Sequence, residues 1–323
     1  EKGEVDMTDT QNEVFKTPVN KIRLFEHGAP GSQNLKLTRK YYTEDMPDGR
    51  VKHIVQNITD PDIVPYIPDG IGNSTDRQRI PAVLIIPGGA FRRLVYNFEG
   101  EDVAKWLNSM GIAAFVLECR LPSDEHDNAE DVPLIDAMRA MRVIRGRAQE
   151  FGIDEAKIGV MGFSAGGFMA ALLSTAYESD VYADYKYKDE YDKLSARPDF
   201  AVCSYPVISI DDCIEAGKRY MSEEQVLERI SDSKAKILHK YNPDKLVRPD
   251  MPPVFICETD DDRTTLSENS VGFYMAARKA GVSAELHIFR TGGHGYGCGD
   301  DFAQTGEWKV LFTKWIKSIG IIS

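Results

Sequence analysis

The chain has five cysteines in 323 residues, and none of them stands in a Cys-x-x-Cys pair. That spacing gives no zinc-site pattern. Cys119, Cys203 and Cys257 sit inside apolar, strand-like runs, where buried free thiols are expected. No apolar run approaches the ~20 residues that a membrane-spanning helix needs. Basic residues are in deficit, with 39 Lys and Arg against 51 Asp and Glu and a net charge of −12. Nucleic-acid backbones are bound by basic stripes, so a nucleic-acid partner is not expected. Neutral sugars and esters are indifferent to such a charge. Only six histidines are present, which keeps the list of candidate general bases short. There is no internal repeat, no low-complexity tract and no signal-peptide pattern. The first residue is Glu1 rather than Met, and the missing leader does not fix a compartment. A secreted or periplasmic address is the expectation, with a cytoplasmic one as the alternative.

The rest of the composition is that of a globular chain, 42% hydrophobic and 28% charged. Residues 1–17 are polar and read as a flexible lead-in to a single domain over 18–323. Apolar alternation in Lys21–Phe25 and Val51–Ile58 predicts exposed antiparallel strands. Pro68–Gln78 is rich in turn formers and predicts a loop. From Ala82 the pattern changes. Ala82–Ile86, Ala113–Cys119, Ile158–Met161, Phe200–Tyr205, Val254–Glu258 and Glu285–Phe289 are short apolar runs, as strands buried on both faces require. Helical periodicity falls between them at Glu99–Met110, Pro133–Phe151, Gly167–Ala176 and Asn269–Ala280, and a last helix is expected over Thr305–Ser318. Such alternation predicts an α/β fold, a mostly parallel central sheet with helices on both faces and short antiparallel strands N-terminal to it. Two segments interrupt it, at 177–198 (with Tyr182, Tyr185, Tyr187 and Tyr191) and at 208–250. Both are expected as insertions on the side where a cleft would open. The tyrosines of the first could stack on sugar rings, but the favoured expectation is that they pack underneath a solvated segment.

Gly162-Phe163-Ser164-Ala165-Gly166 lies between one of these strands and the next helix. Gly-x-Ser-x-Gly in that setting is a nucleophile elbow, a strained turn that presents the serine hydroxyl. Chance would supply the bare pattern roughly 0.1 times in a chain of this length. The strand-to-helix setting therefore carries the inference. A serine hydroxyl needs a base, and the base needs an orienting acid. His294, in the glycine-rich run Thr291–Gly297 after the last strand, is the candidate base. His27, His53, His126, His239 and His287 sit in strands or surface-like segments and are weaker. The acid is sought in Asp260-Asp261-Asp262, just after the strand ending at Glu258. Three adjacent carboxylates cannot all be buried against one imidazole, because like charges disfavour one another. Asp262 is chosen, with Asp261 as the alternative. An oxyanion hole would take one N–H from Ala165 and a second from Gly89 or Ala90, in the glycine loop Pro87–Phe91. Glu99 could hydrogen-bond that loop or serve as an acid at a helix start.

Together these residues resemble a known group. Pro87-Gly88-Gly89-Ala90-Phe91, Glu99-Gly100 with Val103–Asn108, Gly111–Ala113, Gly162–Gly167, Asp261-Asp262 with Glu268-Asn269-Ser270, and Gly292–Gly295 are similar to bacterial acetyl xylan esterase-like members of the alpha/beta-hydrolase superfamily. The resemblance covers about residues 50–318. It implies an alpha/beta-hydrolase fold, the triad Ser164, Asp262 and His294, and removal of acetyl, sometimes feruloyl, groups from plant polysaccharides. It implies no metal or organic cofactor, and it favours Asp262 as the acid. Two departures stand out: Pro87 and Ala90 in the oxyanion loop, and Arg263-Thr264-Thr265-Leu266 where relatives often carry a Val-Pro pair. The expected function is a serine esterase acting through an acyl-enzyme on a small or oligosaccharide ester. The alternatives are a feruloyl or general carboxylesterase and an inactive carbohydrate-binding homologue. A peptidase of the same superfamily is disfavoured, because those usually carry a repeat-built extra domain.

Overall fold

The computed structural model describes residue 15 and residues 20–71, 79–226, 235–299 and 304–323. Most of the expected lead-in, residues 72–78 of the expected loop and 227–234 of the second insertion lie outside them. Phe15 is packed, its ring stacked on His53 with centroids 4.4 Å apart.

An eight-stranded sheet runs in the order β1-β4-β7-β5-β8-β9-β10-β11. Its strands are β1 (Ile22–Arg23), β4 (Asp62–Tyr66), β5 (Ile80–Ile86), β7 (Ala113–Glu118), β8 (Ile153–Phe163), β9 (Ala201–Ser204), β10 (Val254–Thr259) and β11 (Ala284–Phe289). From β7 to β11 all neighbours pair parallel, while β1 and β4 join antiparallel at one edge. β7, β9 and β10 are buried throughout. The continuous apolar runs in the sequence have that cause: both faces of the sheet are covered. A small antiparallel sheet, β2 (Lys40–Asp45), β3 (Val51–Gln56) and β6 (Leu94–Val95), lies apart.

Among the described residues, the α-helices with defined bounds are α1 (Asp102–Ser109), α2 (Val132–Gly146), α3 (Ala148–Phe151), α4 (Ala165–Ala176), α5 (Ile210–Tyr220), α6 (Ala235–Lys240), α7 (Ser267–Lys279) and α8 (Trp308–Ser318). α4 is buried from Ala165 to Thr175, which explains its run of small and apolar residues: it is covered on every side. Among the described residues, no helix is long and apolar enough to cross a membrane. Cys119, Cys203 and Cys257 are free and buried, and Cys298 is buried. Burial pushes the Cys257 thiol up to about 12.

Several expectations need correction. Lys21–Phe25 gives only the two residues of β1, because β4 covers no more of it than Ile22 and Arg23. Val51–Ile58 ends as a strand at Gln56, and Ile54 and Val55 are fully buried rather than exposed. The helix expected from Glu99 is a π-helical turn, Asn97–Glu101, followed by α1. The helix expected over Pro133–Phe151 breaks at Arg147, just after Gly146, a residue that costs about 1 kcal/mol inside a helix.

The segment 177–198 is not on the cleft side. It follows α4, whose twelve residues carry the chain about 18 Å away from the elbow. It ends just before the start of β9, at the N-terminal edge of the strands. Its side chains pack on α2: Arg139 binds Asp189 and Asp192, and Arg142 reaches the Tyr182 hydroxyl. Tyr185 donates to the Gly28 carbonyl at 2.8 Å. The segment 208–250 does begin on the cleft side, after the C-terminal end of β9. α5 lies beside the first turn of α7, where Arg219 pairs with Glu268 at 2.9 Å. At the end of α6, Lys240 and the following Tyr241 reach Asp131, just before α2.

Candidate active site

The chain leaves β5 toward β7 on one side and returns to β8 on the other. Strand order reverses there, and a crevice opens at the C-terminal ends of β5 and β8. The loop 87–91 follows β5 and Ser164 follows β8, so both are delivered to that crevice.

Ser164 has φ 54° and ψ −118°, a backbone conformation that costs about 1–3 kcal/mol. The flanking glycines make the turn possible. A Cβ at Gly162 would stand 1.9 Å from the Gly166 carbonyl oxygen, and one at Gly166 would stand 1.9 Å from that of Ile86. Strand, turn and helix therefore touch backbone to backbone.

His294 Nε2 lies 2.8 Å from Ser164 Oγ, and His294 Nδ1 lies 2.6 Å from Asp262 Oδ2. An ionised carboxylate only accepts, so Nδ1 carries the ring proton and Nε2 is left to accept from the serine hydroxyl. Asp262 is 2% exposed. Burial alone would raise its pKa. The hydrogen bond and charge of His294, with the N–H groups of Thr265 and Thr264, outweigh that and hold the carboxyl below the usual aspartate range. Thr264 and Thr265 donate backbone N–H groups to Asp262 Oδ1 at 2.7 and 3.0 Å, and the Thr265 hydroxyl reaches Oδ2 at 3.0 Å. The Arg263–Leu266 departure from the family pattern thus still supplies a donor cradle for the acid.

Asp261 has a different position. It is exposed and accepts the Gly293 N–H at 2.8 Å, tying the histidine loop to the acid loop without touching the imidazole. Glu258, at the end of β10, is fully buried. Its pKa is pushed well above the usual value by burial and then by the Asp262 charge, and Ser270 donates to it at 3.1 Å. Asn269 accepts the N–H groups of Ile208 and Ser209 at 2.8 and 3.1 Å, pinning the chain ahead of α5 to α7.

Ala165 opens α4, so its N–H has no partner within the helix. Gly89, Ala90 and Phe91 all have positive φ, at 139°, 57° and 59°. The N–H groups of Gly89 and Ala90 donate to no described residue. Gly88 differs: its N–H goes to Glu99 Oε2 at 2.8 Å, so it is not free for a substrate oxyanion. Gly88 itself lies against the elbow, since a Cβ added there would stand 2.9 Å from Ser164 Cβ, and the candidate donors Gly89 and Ala90 follow it in the chain. Two side chains near the site escaped the sequence reading. Thr265 cradles the acid. Tyr205, which ends an apolar run, places its ring 5.1 Å from the imidazole, edge to face.

The BD-FAE family model matches residues 71–276. That span holds Ser164 and Asp262, and His294 lies past its end. The chain is 31% identical over 240 residues to an acetylxylan esterase of Xylanibacter ruminicola, a match covering 74% of this chain and 45% of that protein. It is 31% identical over 227 residues to endo-1,4-beta-xylanase B of Butyrivibrio fibrisolvens, covering 70% of this chain and 34% of that protein. It thus spans less than half the length of both. Among solved structures, an acetyl ester-xyloside bifunctional hydrolase from Caldicellulosiruptor lactoaceticus is 34% identical with a TM-score of 0.69, over 94% of this chain and 97% of that one. The parallel sheet, the elbow and the family match agree: the chain belongs to the BD-FAE family and has the alpha/beta-hydrolase fold.

Proposed function

We propose that the protein is a serine esterase that removes acyl groups, acetyl first, from xylan or a related plant polysaccharide through an acyl-enzyme. The observation that carries this reading is the hydrogen-bonded chain Ser164–His294–Asp262, with distances of 2.8 and 2.6 Å.

Ser164 Oγ attacks the ester carbonyl while its proton passes to His294 Nε2. The carbonyl oxygen becomes an oxyanion facing the N–H groups of Ala165 and of Gly89 or Ala90. Asp262 holds the ring and stabilises the imidazolium. The tetrahedral intermediate collapses, the bond to the sugar oxygen breaks, and the imidazolium returns its proton to that oxygen. Water then attacks the acetyl-serine with His294 as base, releasing the acid and restoring the serine. Charge is created and cancelled within the site, and no step calls for a metal or an organic cofactor.

Acetyl is placed first because an acetylxylan esterase and an acetyl ester-xyloside hydrolase are among the relatives. A polysaccharide does not enter the cytoplasm, so a secreted or periplasmic setting goes with the proposal. The test is Ser164→Ala assayed on p-nitrophenyl acetate, with acetate and ferulate release compared on acetylated and feruloylated xylan oligomers. Hydrolysis is expected to fall at least ~10⁴-fold with the fold intact, and acetate release to exceed ferulate release. Retained turnover in the alanine variant would refute the serine mechanism. A parent chain that neither hydrolyses esters nor reacts with a fluorophosphonate would instead be an inactive binding protein.

A further inference from the structure

Glu99 is 4% exposed and, among the described residues, lies within salt-bridge distance of no lysine or arginine. Burying a carboxylate without a cation costs several kcal/mol, so its placement calls for a reason. Burial raises its pKa, opposed by the charge of His294 and by hydrogen bonds from Tyr205 and Gly88. Its two oxygens face in two directions. Oε2 accepts the Gly88 N–H at 2.8 Å, and Oε1 accepts the Tyr205 hydroxyl at 2.9 Å. The Tyr205 oxygen in turn accepts the Gly297 N–H at 3.0 Å. Gly88 immediately precedes the two candidate oxyanion donors, and Gly297 follows His294 by three residues.

We propose that Glu99 and Tyr205 form a positioning bridge that fixes the oxyanion loop relative to the histidine loop. The inference rests on the serine-esterase reading and deepens it. Attack and oxyanion stabilisation must converge on one carbon, so the distance between the proton acceptor and the oxyanion donors is a catalytic variable. Separate loops carry these two groups, and the triad joins only the histidine side. A carboxylate suits the bridge because both of its oxygens accept. Glutamine would turn an amide N–H₂ toward one of two donors. The backbone is committed to the same end. Glu99 lies in a π-helical turn, a geometry enriched at functional sites, and Tyr205 is held at φ 37° with its N–H on the Cys257 carbonyl at 2.7 Å.

The test compares the parent with Glu99→Gln, Tyr205→Phe, the double variant and Ser164→Ala on p-nitrophenyl acetate, with thermal unfolding measured alongside. A misplacement of about 1 Å costs roughly 100-fold in rate, so kcat is expected to fall about 100-fold in Glu99→Gln and about tenfold in Tyr205→Phe, with KM within about threefold of the parent. The double variant is expected to be no worse than Glu99→Gln, since both break one bridge. A kcat within about twofold of the parent in the single variants, or effects that multiply in the double, would overturn the bridge. So would a melting point that falls while kcat measured well below it stays put, the mark of a purely structural role. Should Glu99→Gln not fold, the milder Tyr205→Phe decides by the same kcat criterion. Turnover retained in Ser164→Ala would sink the serine mechanism and the bridge with it. Turnover lost there but kept in the other variants would sink the bridge alone.

Discussion

Two buried charged clusters follow β7 and β8, the strands on either side of β5, and they handle charge in opposite ways. Behind β7, Arg120 and Asp136 are both fully buried. They are joined at 2.7 and 3.0 Å through the guanidinium and at 2.8 Å through the Arg120 N–H. Ser32 and the Pro30 carbonyl take further donors of Arg120. Charge there is cancelled within the cluster. Around Ser164, Glu99 and Asp262 are buried with no described lysine or arginine at salt-bridge distance, and of the seven described non-glycine residues with positive φ, four (Ala90, Phe91, Ser164 and Tyr205) stand there. The first cluster has nothing left to give a ligand. In the proposed mechanism, the second holds negative charge for a cation that exists only when His294 takes a proton. Burial and hydrogen bonding alone do not tell such regions apart; uncancelled charge on a strained backbone does.

The sharpest way to break this comparison is Asp262→Asn. It preserves shape but offers the imidazole an amide, and kcat is expected to fall about 10⁴-fold. The pH behaviour follows from the depressed Asp262 pKa. Its stabilising contribution is complete above the ordinary aspartate pKa of about 4 and is lost as pH falls through the lower folded value. Next comes Arg120→Met, which strands Asp136 and is expected to cost about 3–5 kcal/mol in chemical denaturation. The folded fraction should keep the parental kcat, and a large loss of kcat would mean that the two clusters are not independent. Asp261→Ala removes the exposed acceptor of the Gly293 N–H, worth about 1 kcal/mol, and should cost less than tenfold in kcat/KM. A collapse of activity there would move the acid's role to Asp261.

The smallest effect concerns His126, which borders the Arg120 cluster through Ser32 at 3.1 Å and whose Nε2 is buried without a partner. Burial and then the Arg120 charge lower its pKa from 6.5 to about 4. The neutral ring is therefore the native form. Its contribution is complete above pH 6.5 and is lost as pH falls toward about 4. Unfolding midpoints of His126→Gln should be flatter than the parent's over that interval. An unchanged slope would count against this account of acid sensitivity.

Much of this was legible in the sequence because burial on both faces leaves a mark. β5, β7, β9 and β10 stood out as apolar runs, and the elbow as glycines around a serine. β2 and β4 did not. Lys40–Asp45 is charged at its ends and lies in the small sheet, while Asp62–Tyr66 contains Pro65, ordinarily a sign against a strand. Pairing of β4 with β1 stops at Ile63, which leaves an open edge where a proline is tolerated. The order serine, acid, histidine drew attention to three side chains, and the fold brings the histidine within hydrogen-bonding distance of the other two. Tyr205 was illegible because its part depends on approach between segments far apart in the chain, and no local pattern encodes that; Thr265 stands three residues from the acid it cradles but was read only as part of a departure from the family pattern. The tyrosine-rich segment was expected on the wrong side for a related reason: the packing of Tyr182 underneath it agrees with the favoured reading, but only the direction of α4 says which edge of the sheet the segment occupies.

That direction has a practical side. Lys186 and Lys188 are exposed in the 177–198 segment, and the length of α4 separates that segment from the nucleophile. A support or tether coupled through those amines would hold the molecule by its back, with the mouth of the crevice turned to the bulk liquid, where a long, stiff polymer could still slide across it.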